Sequence, residues 1–261
     1  MRDRFREQSG LTRRQLLKLA GGAGIAAAAG ACSRQAEPAT VSTPTPSSSP
    51  AVAPAPRATR VPAPVVQTAN LLCRESWGAR PARPGGRVHM ITRMTVHHTA
   101  EVLGDNRNMT ERLREHQRYH QDDQGWIDIA YHVGVDRKGN IFELRTPELV
   151  GDTATEYDPT GHFLVVCEGN FDEETVSEEQ LQGAATAFAW AAQNFDITTE
   201  TLGGHRDFAA TACPGADLYA HVASGDLKQR IDDLLAIGTV DLHRICGPEA
   251  DSVVTQIETG A

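Results

Sequence analysis

From Leu71 onward the apolar positions recur with the periods of regular structure; before it they do not. Four short runs rich in β-branched and aromatic residues, Met94–His98, Ile129–Val135, Asn140–Leu144 and Phe163–Glu168, predict strands. The second and third are joined by Asp136-Arg137-Lys138-Gly139, which predicts a short hairpin turn. Helical spacing appears over Thr110–His120 and near Leu227–Ile237, where Leu227, Ile231, Leu234 and Leu235 share a face. Ser177-Glu178-Glu179-Gln180 is a capping box opening a longer helix, with Leu181, Ala184, Ala185, Phe188, Ala192 and Phe195 on one side. Strands interleaved with helices predict one mixed α/β domain over residues 71–238, followed by a C-terminal extension over 239–261. A single domain of about 170 to 190 residues buries roughly 70% of its unfolded surface, enough for a proper core.

The preceding residues cannot supply such a core. Residues 1–31 combine a basic start with a Gly/Ala-rich stretch too short and too mild for a comfortable membrane span, the pattern of an export signal. Arg13-Arg14 followed by Gln15-Leu16-Leu17-Lys18 resembles the twin-arginine type, whose pathway exports folded cargo. Ala29-Gly30-Ala31-Cys32 admits two cuts. It resembles a lipobox that makes Cys32 a lipid anchor, although Ala29 stands where Leu is usual, and it also fits an ordinary small-x-small cleavage site that gives a secreted protein. Residues 32–70 are dominated by Pro, Ala, Ser, Thr and Val and predict a linker. At about 3.1 Å per residue in polyproline II, it would reach on the order of 100 Å, a tether suited to a domain working on a polymer above a membrane.

Charge narrows the choice of partner. The chain carries 25 basic and 34 acidic residues, and six basic and two acidic ones lie in the first 31. Without them 19 face 32, a net of −13. That balance argues against a nucleic-acid partner and leaves a neutral or zwitterionic polymer open.

Candidate chemistry centres on Thr95-Val96-His97-His98-Thr99-Ala100. In a strand successive side chains face opposite ways, so only one of His97 and His98 can enter a given site. Far downstream, His205-Arg206-Asp207 is followed eight residues after the histidine by Cys213-Pro214-Gly215. Each element alone is a weak metal signal. In order along the chain they accompany Arg74-x-x-Trp77-Gly78-Ala79, Gln117-x-Tyr119-His120-x-Asp122, Gly125-Trp126-x-Asp128-Ile129-Ala130-Tyr131-His132, Glu168-Gly169-Asn170-Phe171 and Gly204-His205-Arg206-Asp207. Over roughly residues 71–235 this set resembles the peptidoglycan recognition protein family, also called type 2 N-acetylmuramoyl-L-alanine amidases.

The resemblance implies a single mixed central β-sheet flanked by helices, and hydrolysis of the amide between N-acetylmuramic acid and L-alanine in bacterial peptidoglycan. It implies Zn2+ held by His97, His205 and Cys213, with a fourth position open for catalysis, a donor set that suits the metal. Tyr131 matches the family's active-site tyrosine, expected to steady the water or oxyanion. Thr211 stands where recognition-protein amidases carry threonine and phage members lysine, which implies a hydrogen-bonding oxyanion stabiliser. Gly125-Trp126 resembles the version associated with meso-diaminopimelate peptides, and His120 sits at a muropeptide-contact position. Arg145 is expected nearby, to pair with the extra carboxylate. The family's Gly-Ala-His stretch is altered to Val150-Gly151-Asp152-Thr153, without the usual histidine, and Glu168 reads as a solvated charge at a strand end. With Cys32, Cys167 and Cys213 otherwise placed, Cys73 and Cys246 form a possible disulfide in an oxidising compartment. The alternative function is a non-catalytic muropeptide-binding module; members that only bind lack the cysteine ligand, and Cys213 is present.

Overall fold

The computed structural model describes residues 65–260; the expected export signal, Cys32 and most of the expected linker lie outside that range. Seven strands form one sheet: β1 (Val66–Leu72), β2 (Arg93–His98), β3 (Val133–Val135), β4 (Ile141–Glu143), β5 (His162–Cys167), β6 (Leu202–Gly204) and β7 (Thr239–Ile245). Their spatial order is β6-β2-β5-β3-β4-β1-β7, and every pairing is parallel except the β3–β4 hairpin. The α-helices are α1 (Met109–Arg118), α2 (Glu178–Phe195), α3 (Ala216–Ala223), α4 (Asp226–Ile237) and α5 (Pro248–Thr259), and none among the described residues is long and apolar enough to cross a membrane.

The alternation of side chains along β2 and β5 divides two cores. Met94, Val96, Phe163, Val165 and Cys167 pack with the α2 residues Leu181, Ala184, Ala185 and Phe188 on one face. Val166 faces the other way, with Trp77, Leu113, Phe142 and Ile129. His97, between Val96 and His98 on β2, therefore emerges on the second face, at the C-terminal end of the parallel strands. This is where open sheets of parallel strands place their ligands.

Asp136 makes the β3–β4 turn: its buried carboxylate accepts from the backbone N–H groups of Lys138 and Asn140 and from the Asn140 and Asn106 amides. Gly139 takes φ +77° there, and a Cβ on it would lie 2.5 Å from the Glu179 carbonyl at the start of α2. Ser177 caps α2 by accepting from the Gln180 N–H, but the expected capping box is half made. The Gln180 side chain is buried and donates instead to the Val135 and Glu168 carbonyls, tying the helix start to β3 and β5.

Three expectations shift. The strand expected over Ile129–Val135 is regular only from Val133, because Arg145 takes the Asp128 and Ile129 carbonyls and turns those residues out of the ladder. The sheet begins at Val66, inside the stretch expected as linker. Residues expected as a C-terminal extension form β7 and α5, with β7 paired to β1 in seven-residue register, Val66 opposite Thr239 through Leu72 opposite Ile245. A disulfide between Cys73 and Cys246, Cα atoms 5.4 Å apart, joins the two strands just past their ends.

Candidate metal centre and cleft

Parallel pairing of β2 with β6 sets Val96 opposite Gly204, so the next residue of each chain, His97 and His205, emerges side by side with ring centroids 4.6 Å apart. The Arg206 N–H donates to the Cys213 carbonyl and folds the intervening loop back onto the pair. One donor atom from each of His97, His205 and Cys213 lies within 4.8 Å of the others. His98 points to the opposite face of β2, where its ring stacks on Phe171.

The group fits a zinc ion. Bonds of about 2.0 Å to nitrogen and 2.3 Å to sulfur at a tetrahedral angle set the two donors about 3.5 Å apart, and Cys213 Sγ lies 3.6 Å from His97 Nδ1. The Cys213 sulfur is the polar contact of His97 Nδ1, and Nε2 of the same ring is buried without a hydrogen-bond partner among the described residues. Burial, with the neighbouring His205, holds His97 well below the usual imidazole range, and burial holds His205 at about 4, so both are neutral as ligands must be. Burial pushes the Cys213 thiol up to about 12, against the pull of the His98 N–H that donates to its sulfur at 3.4 Å. A divalent cation reverses that shift, because a coordinated thiol is deprotonated.

These residues line a cleft of about 340 Å³ together with Tyr131, Thr211, His120 and Trp126. The Tyr131 ring is 5.1 Å from that of His97, and its hydroxyl, raised well above the usual phenol range by burial and then by Cys213, stays protonated as a donor at neutral pH. Thr211 Oγ1 accepts from the Cys213 N–H at 3.2 Å. His120 accepts from the Ala130 N–H and packs 4.8 Å from Trp126, neutral because burial lowers it to about 3.

Two expected contacts fall elsewhere. Gly125 is exposed in the turn before Trp126, at φ +72°, and does not line the cleft. Arg145 is 2% exposed and serves the fold: Nε donates to the Ile129 carbonyl at 2.8 Å, Nη1 to that of Val150 at 2.6 Å, and Nη2 to that of Asp128 at 2.9 Å and to the Asp152 carboxylate. The expected pairing with a substrate carboxylate is thereby corrected, since the side chain is buried outside the cleft and four of its five N–H donors hold the loops around it. Glu168 is likewise buried rather than solvated, with Oε1 accepting from Thr99 and facing His116. Asp152, Thr153, Thr155, Asn170 and Asp172 line the cleft without having been assigned a role; only Asn170 fell inside a recognised motif. Thr155 Oγ1 lies 2.7 Å from His205 Nε2.

The mixed sheet that carries this group has the fold of peptidoglycan recognition proteins. Residues 87–216 match the family model described as N-acetylmuramoyl-L-alanine amidase. Peptidoglycan-recognition protein LB of Drosophila melanogaster is 29% identical over 176 residues, 64% of this chain and 74% of that protein. The human N-acetylmuramoyl-L-alanine amidase is 33% identical over 152 residues, 55% of this chain but 26% of that protein. Peptidoglycan recognition protein-LE, solved in complex with tracheal cytotoxin (monomeric diaminopimelic acid-type peptidoglycan), superposes with a TM-score of 0.54 at 25% identity, over 59% of this chain and 92% of that one. The chain belongs to the peptidoglycan recognition protein / type 2 N-acetylmuramoyl-L-alanine amidase family.

Proposed function

We propose that the protein is an exported, zinc-dependent N-acetylmuramoyl-L-alanine amidase acting on peptidoglycan. The observation that carries this is the convergence of His97, His205 and Cys213, three donors and no fourth among the described residues, on a cleft that also holds Tyr131. Zinc held by His97, His205 and Cys213 would supply a Lewis acid and lower the pKa of the attacking water to about 7. Tyr131, protonated at neutral pH, donates a hydrogen bond to the oxygen that gains charge when water adds to the carbonyl. Thr211 accepts from the Cys213 N–H and so fixes the sulfur's loop, leaving its own O–H to point at the reacting group. When the C–N bond breaks, the amine of L-alanine leaves with a proton and the lactyl carboxylate remains.

Trp126 and His120 form an aromatic wall for the peptide. A diaminopimelate-type stem is favoured by the likeness to recognition protein-LE, whose complex is with that kind of muropeptide. Residues 1–31 are the export signal, and the Pro/Ala-rich stretch after them is a tether attached to lipid at Cys32 or to nothing, according to which cut is made.

A binding module without catalysis is the competing function, and Cys213 is the residue that argues against it. The test is to incubate the protein with muropeptides, with and without chelator, and look by mass spectrometry for free peptide. Metal-dependent release supports the amidase; retention of intact muropeptide under both conditions refutes it.

A further inference from the structure

The loop from Gly151 to Gly161 reaches the metal group directly. Thr155 Oγ1 is 2.7 Å from His205 Nε2 and 2.8 Å from Thr153 Oγ1, while the Thr155 N–H donates to that same Thr153 oxygen at 3.1 Å. On the same loop the Tyr157 ring lies 5.0 Å from the His205 ring. The loop is fixed at its start, where the buried Arg145 holds the Asp152 carboxylate and the Asp152 N–H donates to the Ala130 carbonyl. It is fixed again where Asp158 accepts from Thr160 and pairs with Arg87.

An imidazole nitrogen engaged by a hydroxyl cannot also coordinate a metal, so the hydrogen bond to Nε2 leaves Nδ1 for the ion. A neutral ring that coordinates through Nδ1 carries its proton on Nε2. We propose that Thr155 is a positioning residue of the metal centre, accepting the Nε2 proton of His205 so that Nδ1 is the coordinating nitrogen. The polarity of the chain is then fixed: His205 Nε2–H donates to Thr155 Oγ1, and Thr155 O–H donates to Thr153 Oγ1. Thr153 accepts twice, which holds the Thr155 hydroxyl in the one rotation that presents a lone pair to the histidine. Outer partners of this kind orient metal-bound histidines, and losing one costs about 10- to 100-fold in metal affinity. The proposal rests on the zinc centre proposed above.

The test is zinc affinity, measured by competition with a chromophoric chelator on the whole exported protein, together with the visible spectrum of the cobalt-substituted form. Thr155→Val keeps the shape and removes the acceptor; it is expected to weaken zinc binding about 10- to 100-fold and to alter the cobalt bands. Thr155→Ser restores the hydroxyl and is expected to bind within about threefold of wild type, which a merely space-filling role would not require. Thr153→Val, which removes the second acceptor while leaving Thr155, is expected to fall between them. Wild-type affinity and spectrum in Thr155→Val would overturn the proposal, as would equal losses in the valine and serine variants. If Thr155→Val does not fold, the serine and Thr153 variants decide. A wild-type protein that takes up no zinc, or Cys213→Ser binding it as tightly as wild type, would overturn the metal centre itself.

Discussion

Arg145→Met separates a scaffold role from a substrate contact at a residue where sequence and structure point different ways. Methionine keeps most of the aliphatic stem and removes every donor. It would strand the Asp128, Ile129 and Val150 carbonyls and leave the Asp152 carboxylate without its cation. Removing one partner of a buried pair costs about 3–5 kcal/mol, and a buried carbonyl left without a donor about 1–3 kcal/mol. Asp152 is 31% exposed at its side chain, so water recovers most of the ion-pair loss, and the three carbonyls, each near the low end of its range, still leave about 3–5 kcal/mol as the least expected cost. For a domain of this size that lowers the melting temperature by about 6–20 °C. The assay is thermal and urea unfolding in chelator, so that metal binding does not contribute, with muropeptide kinetics then run on whatever remains folded. A variant with wild-type stability and a raised KM would refute the reasoning and return the guanidinium to the substrate.

Tyr131→Phe is expected to reduce kcat about 100-fold with little change in KM or melting temperature, since only a hydrogen bond to the developing oxyanion is removed; unchanged turnover would exclude that role. His132, buried on both sides of its ring and lowered to about 3 by burial, is neutral in the fold and has an ordinary pKa near 6.5 when unfolded. Its contribution is therefore complete above that pKa and is lost as pH falls, about 2 kcal/mol by pH 5; urea unfolding at pH 7 and pH 5 should show a smaller difference for His132→Asn than for wild type, and equal differences would acquit it. Replacing both Cys73 and Cys246 by serine opens a loop with a sequence separation of 173 and is expected to cost up to about 5 kcal/mol, read as a lower urea midpoint than that of the oxidised protein. A midpoint indifferent to the double replacement would mean the bond adds nothing.

What could be read from the residues is what local period or motif carries. Met94–His98 and Phe163–Glu168 were legible because the first alternates and the second is a short unbroken apolar run rich in β-branched residues, as a strand buried on both faces requires. The ordered motifs brought His97, His205 and Cys213 together across more than a hundred positions, which no periodicity could have done. β1 stayed hidden because Val66–Leu72 alternates exposed and half-buried positions with polar residues and comes directly after a Pro/Ala/Val-rich stretch. β7 buries only Val240, Leu242 and Ile245, and its partner lies at the other end of the domain. Arg145 misled because a cation near a cleft is ordinarily a surface group, whereas this one satisfies backbone carbonyls that a bent segment had freed. Thr155 carries no motif; its place beside His205 is a product of the loop's path.

The β1–β7 ladder also sets how the domain would withstand force. A pull on Val65 from the residues before it acts along β1, and because both neighbours of that strand run parallel to it, the pull must slide seven rungs together instead of peeling them one after another. At the far end the Cys73–Cys246 bond covalently resists the same sliding. A leash held at one end would thus tug on the part of the sheet built to bear shear, and the strain would stay several strands away from β2 and β6, where the histidines sit.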